Sequence, residues 1–173
     1  MKQRRVLTFF GLIAVGTLGF QSVSSAAAPP PAEFSYVSEP GDYVGGGQSQ
    51  HVTSRSGDFK LRSSEGGVNL MALYQRDGQL TFFDVTLAAP RGKAFTAGTY
   101  VGAQRAAFRD NTAPGIDVVA HGRGCSNTYG SFTVHRVEYG SNGAPAVLVA
   151  DFEQHCESPG APALRGSVTY NAP

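Results

Sequence analysis

The feature that most restricts the fold of this chain is its punctuation. Its 173 residues include 22 Gly and 10 Pro, and many of these fall between short runs in which apolar and polar residues alternate. Turn residues recurring at roughly 8–14-residue intervals leave little room for an amphipathic helix and favour strands. Strands are expected over residues 34–37, 48–55, 58–63, 68–74, 80–87, 99–105, 132–139, 147–156 and 164–170. The run Arg76-Asp77-Gly78-Gln79 suits a hairpin turn. Residues 110–126 form the longest irregular stretch, with only 116–119 strand-like, and long irregular segments on rigid β frames often carry function. The pattern predicts an all-β domain, an antiparallel β-sandwich of about nine short strands. A closed barrel is less favoured because the strands are uneven in length.

The N-terminus sets the compartment. Lys2, Arg4 and Arg5 precede an apolar run over residues 6–20, and Ser24-Ser25-Ala26-Ala27-Ala28 follows. This is the layout of a secretory signal peptide, too short for a comfortable membrane span. The expected organisation is a signal peptide over 1–27, a linker over 28–33 and a single β domain over 34–173. Ordinary export is favoured, although Arg4-Arg5 also permits a twin-arginine route. With no Cys near the exit, a lipid anchor is disfavoured. Loss of Lys2, Arg4 and Arg5 takes the formal charge from +1 to −2. Such a balance gives no pull toward nucleic acid or acidic membranes.

Cys125 and Cys156 are the two cysteines. In an exported chain an even count favours one disulfide. A reactive thiol would want a CxxC pair or an activating His. His155 adjoins Cys156 in sequence, but strand neighbours point to opposite faces.

Period-two alternation over residues 148–156 places Leu148, Ala150, Phe152, Gln154 and Cys156 on one face. Asp151, Glu153 and His155 share the other. Those three can be read as a binding surface, an acid/base pair or a metal site. They can equally pair with Arg123, Arg136 or Arg165 on neighbouring strands, and structural pairing is the favoured reading. In His121-Gly122-Arg123-Gly124-Cys125, a disulfide would pin Arg123 near the acidic strand. There it would reach Glu153 or present its guanidinium to an anionic ligand. The chain lacks G-x-S-x-G, H-E-x-x-H, EF-hand and phosphate-loop signatures. It also lacks Trp, the usual platform for stacking sugars.

At Gly122-Arg123-Gly124-Cys125 and Ala150-Asp151-Phe152-Glu153-Gln154-His155-Cys156-Glu157 the chain resembles an uncharacterised all-β module of bacterial secreted and surface proteins. Weaker matches are Pro40-Gly41-Asp42-Tyr43-Val44-Gly45-Gly46-Gly47, Ala97-Gly98-Thr99-Tyr100, Ala113-Pro114-Gly115-Ile116-Asp117 and Pro162-Ala163-Leu164-Arg165-Gly166. The departures are His121, where an acidic residue is expected, Arg165, where an apolar or aromatic one is, and the absence of Trp near Phe82-Phe83. The resemblance implies one extracellular β domain with bridged cysteines and brings no activity.

The resulting expectation is a non-catalytic secreted or cell-surface module that binds an extracellular ligand or envelope component, with periplasmic residence the alternative. Its contact residues are His121, Arg123, Asp151, Glu153 and His155. No catalytic residue, metal, cofactor, nucleic acid or membrane span is assigned, and oligomeric state stays open. The alternative is a secreted hydrolase or metal-binding protein using the Asp151/Glu153/His155 face.

Overall fold

A computed structural model describes residues 31–171. The expected signal peptide and the start of the expected linker lie outside the described residues. Ten strands run in order as β1 (Ala32–Ser38), β2 (Ser49–Thr53), β3 (Gly57–Ser64), β4 (Gly67–Arg76), β5 (Gln79–Ala88), β6 (Gly98–Arg105), β7 (Gly115–Ala120), β8 (Thr128–Tyr139), β9 (Pro145–Cys156) and β10 (Ala163–Asn171). A 3-10 turn, Ala106–Phe108, follows β6. The first strand begins two residues ahead of the expected domain start at residue 34.

All ten strands belong to one sheet, ordered β2-β1-β10-β9-β8-β6-β7-β5-β4-β3. The sheet curls into a nearly closed barrel, where the alternation pattern suggests a sandwich of about nine strands. The tenth strand is β7, whose core is the 116–119 run inside the stretch read as irregular. It joins two antiparallel blocks, one from β2 to β6 and the other from β5 to β3. Its link to β6 is parallel and only two residue pairs long, Gln104 with Gly115 and Arg105 with Ile116. Alternation tells which face of a strand is buried; it does not tell whether two blocks share a ladder.

The blocks meet over an aromatic core. Phe34 of β1 stacks on Phe83 of β5 with ring centroids 4.1 Å apart, and Tyr36, Tyr74 and Phe152 surround them. Truncating such a ring typically costs about 3–5 kcal/mol. Phe83 is buried and its neighbour Phe82 only partly so, as alternation requires. On β9, Leu148, Ala150, Phe152, Gln154 and Cys156 all face the core.

Gln154 is the polar member of that set and is 1% exposed. Beyond its two pairs with β6, β7 has no ladder partner on that side, which would leave the Val118 backbone groups bare. The Gln154 amide replaces the missing strand. The Val118 N–H donates to Gln154 Oε1 at 2.7 Å, and Gln154 Nε2 donates to the Val118 carbonyl at 3.1 Å. Nearby, Cys125 and Cys156 form a disulfide with Cα atoms 5.0 Å apart. Closing that loop stabilises the fold by about 3.7 kcal/mol in the chain-entropy picture.

Gln154→Leu keeps the volume and removes both bonds. With each of the two buried backbone groups left unpaired costing about 1–3 kcal/mol, we expect a loss of about 2–6 kcal/mol. Urea unfolding with an unchanged m-value would register it. A variant as stable as wild type would mean that Val118 finds other partners.

Candidate functional site at the barrel rim

The Pro40–Gly47 run becomes a tight loop because Asp42 organises it from inside. This carboxylate is 4% exposed and accepts bonds from Ser38 Oγ at 2.7 Å, the Gly45 N–H at 2.8 Å and the Val44 N–H at 3.2 Å. A Cβ at Gly45 would lie 2.4 Å from the Ser38 Cβ, so only glycine fits there. The loop holds its apolar Val44 in the core and leaves the ring of Tyr43 57% exposed.

After β7 the chain reverses in a second tight turn. The Arg123 N–H donates to the Ala120 carbonyl at 2.9 Å and the Ala120 N–H to the Arg123 carbonyl at 3.1 Å. The two central residues, His121 and Gly122, have φ of 54° and 75°, the signs a primed hairpin turn needs. The turn places the Arg123 guanidinium 6.0 Å from the centroid of Tyr43. Among the described residues no carboxylate pairs with it.

Inside the rim lies the His121 ring. Arg76 Nη1 donates to its Nε2 at 2.6 Å, and the Tyr36 hydroxyl oxygen lies 2.8 Å from the same nitrogen. A guanidinium can only donate, so Nε2 carries no proton and the ring is neutral, with its hydrogen on Nδ1 toward Thr81 Oγ1 at 3.3 Å. Burial first, then Arg76 and Arg123, push the His121 pKa down. Arg76 also donates to Gln48 of the 39–48 loop. Beneath His121, the Tyr74 hydroxyl is buried without a partner, and burial, reinforced by Tyr36, raises its pKa.

Glu153 lies elsewhere, on the outer face of β9. The contact expected between Arg123 and Glu153 does not form. Arg165 takes that place, because it stands directly across from Glu153 in the β9–β10 ladder. Arg165 Nε donates to Glu153 at 2.6 Å and its Nη1 to Glu39 at 2.5 Å. His155 completes the chain with Nε2 2.9 Å from Glu153 and Nδ1 2.6 Å from the Ala161 carbonyl. Both ring nitrogens face acceptors, an arrangement that favours the doubly protonated ring. Burial opposes that charge, but the Ala161 carbonyl and the Glu153 carboxylate outweigh it and raise the pKa. The Glu153 carboxyl is pushed down by its bonds to His155 and Arg165, and that of Glu39 by Arg165 and the Ala163 N–H.

Asp151 stands apart again, paired with His135 at 2.7 Å on the exposed surface. The five residues expected to form one contact surface therefore fall into three groups. Among the described residues, no cluster of three or more His, Cys, Asp or Glu side chains is arranged to hold a metal. Glu153 and His155 do line a groove of about 370 Å³ with Tyr129 and Gly102, beside the register shift in β6 between Tyr100 and Ala103. Sequence reasoning missed Tyr43 and Arg76 at the rim. The hairpin at 76–79 was a usable signal for Arg76, while nothing local ties Tyr43 to Arg123. Comparison with family models, curated proteins and solved structures gives no match.

The two histidines pull stability in opposite directions with pH. The contribution of His155, with its raised pKa, is complete below 6.5 and lost as pH rises through the folded value. The contribution of His121, with its lowered pKa, is complete above 6.5 and lost as pH falls through the folded value. Those of Glu153 and Glu39 are present above 4.5 and fade as pH falls through their lowered values. Melting temperatures of wild type, His155→Gln and His121→Gln at pH 5.5 and 8 test the assignment. Relative to wild type, His155→Gln should shift the difference toward greater stability at pH 8, and His121→Gln toward greater stability at pH 5.5. Shifts of the same sign would refute the protonation states.

Proposed function

We propose that this protein is a non-catalytic secreted or cell-surface module whose rim engages an acidic group on an extracellular ligand. The observation that carries the reading is Arg123, a guanidinium set over an exposed tyrosine by two tight turns and left without a carboxylate partner among the described residues. Arg76 lies behind it, paired with Asp77 at 3.7 Å. Arg–aromatic pairs at surfaces contribute only about 0.5–1 kcal/mol to a fold, so stability alone gives little reason for such a display.

Several features support export. The leader-like N-terminus is one, and the disulfide fits an oxidising compartment. Among the described residues no helix is long and apolar enough to cross a membrane. The resemblance to a bacterial secreted and surface module points the same way. Glu153 is poorly suited to act as a general acid at neutral pH. That role asks for a raised carboxyl pKa, and its two cationic neighbours lower it.

Binding to immobilised polygalacturonate, compared with neutral dextran, tests the rim. Wild type should favour the carboxylated polymer. Arg123→Ala should weaken that binding by about fivefold while stability changes by less than about 1 kcal/mol. Equal binding to both polymers, or a large loss of stability in the variant, would remove the proposal.

A further inference from the structure

The groove beside Tyr129 is the middle of a longer trough that shares no residue with the rim. Gln104 and Tyr129 also border a depression of about 260 Å³ that reaches Phe108 and Asn127. Ser131 and Glu153 also border one of about 320 Å³ that reaches Asp151 and Gly166. Together the three cross the outer face of β6, β8, β9 and β10. Four strands span about 14 Å at the usual sheet spacing, the length of about three pyranose rings.

Strand register builds the walls. Gln104, Tyr129 and His155 stand side by side across β6, β8 and β9, and Ser131 stands next to Glu153. The bulge in β6 leaves Gly102 on the wall with φ of 67°, where a Cβ would meet nothing within 4 Å. The middle of the trough is therefore open. Two aromatic rings line it, Phe108 at 74% and Tyr129 at 38% exposed, and the Arg105 guanidinium lies 5.0 Å from the Phe108 centroid.

Each charged side chain on the walls already meets an opposite charge. Glu153 meets His155 and Arg165, Asp151 meets His135, and Arg105 meets Asp117. An ionic ligand would have to break one of these pairs. What stays unused is hydrogen-bonding capacity toward neutral groups. The Ser131 and Tyr129 hydroxyls bond no other described residue and are not sealed from solvent. Glu153 Oε1 and Oε2 each take one bond, which leaves a lone pair on each, and the side chain is 39% exposed. Exposed ring faces beside such groups suit a molecule with apolar C–H faces and hydroxyl edges.

We propose that this trough binds a neutral oligosaccharide, with Tyr129 as the stacking platform and Ser131 and Glu153 as partners of its hydroxyls. Tyr129 supplies the flat face that Trp would otherwise give.

The test is titration of the whole protein with cellohexaose, xylohexaose, mannohexaose, maltohexaose and chitohexaose, followed at the backbone amide resonances of Gly102, Tyr129 and Ser131. At least one sugar should shift these resonances saturably, bind more tightly than its own disaccharide, and do so at low and high salt alike. Tyr129→Ala should weaken that binding by about fivefold or more with the melting temperature unchanged, and Tyr129→Phe should keep most of it. Arg123→Ala, at the rim, should leave it as it is. No saturable shift in wild type with any of these sugars overturns the proposal. So does binding that survives Tyr129→Ala intact, that vanishes at high salt, or that depends on Arg123. The rim reading stands or falls separately, on the polygalacturonate comparison.

Discussion

The arrangement of this protein turns on the amide of Gln154. Where β6 leaves β7 after two residue pairs, Val118 would face the core with a bare N–H and a bare carbonyl, and the Gln154 side chain meets both. That contact ties β9 to β7 across the interior and joins the two blocks where their shared ladder is thinnest. The same Nε2 lies 3.5 Å from Cys125 Sγ, so the amide and the disulfide form one unit. The 121–124 turn, with its unusual His121 backbone, is therefore held at both ends. One end is the β7 strand that Gln154 secures, and the other is the bridge to Cys156.

Arginine does three different jobs on this frame, and the partner decides which. Arg165 faces two carboxylates and becomes the centre of a cross-strand network with Glu39 and Glu153. Arg109 is buried against carbonyls and keeps a donor unused. Arg123 rests on an aromatic face at the surface. The histidines divide likewise. His155 is surrounded by acceptors that favour its charged form, whereas His121 meets a guanidinium that disfavours it. Residue type alone gives none of these assignments, since each depends on which donor or acceptor the fold brings within about 3 Å.

The site was only partly legible for the same reason. Alternation correctly placed Asp151, Glu153 and His155 outside and Gln154 inside, because side-chain direction along a strand is local. Glu153 was expected to meet an arginine, and Arg165 was among the candidates. The choice between Arg165 and Arg123 required the β9–β10 register, which places Arg165 opposite Glu153. In that register Arg165 pairs two acids, Glu153 and Glu39. Tyr43 and the buried Arg109 escaped notice because their partners are distant in sequence. Arg109, for instance, bonds the carbonyl of Glu65.

By itself, the amino-acid order determined the β class, the in-and-out pattern of β9, the hairpin at 76–79 and the pairing of the only two cysteines. These follow from side-chain period, turn chemistry and an even thiol count, all of which act over a few residues or admit one solution. Tertiary structure alone decided that the strands form one curled sheet, that residues 115–120 are its joint, and which cation meets each acid. Those outcomes depend on how unpaired backbone and charged groups far apart in the chain satisfy one another once water is excluded.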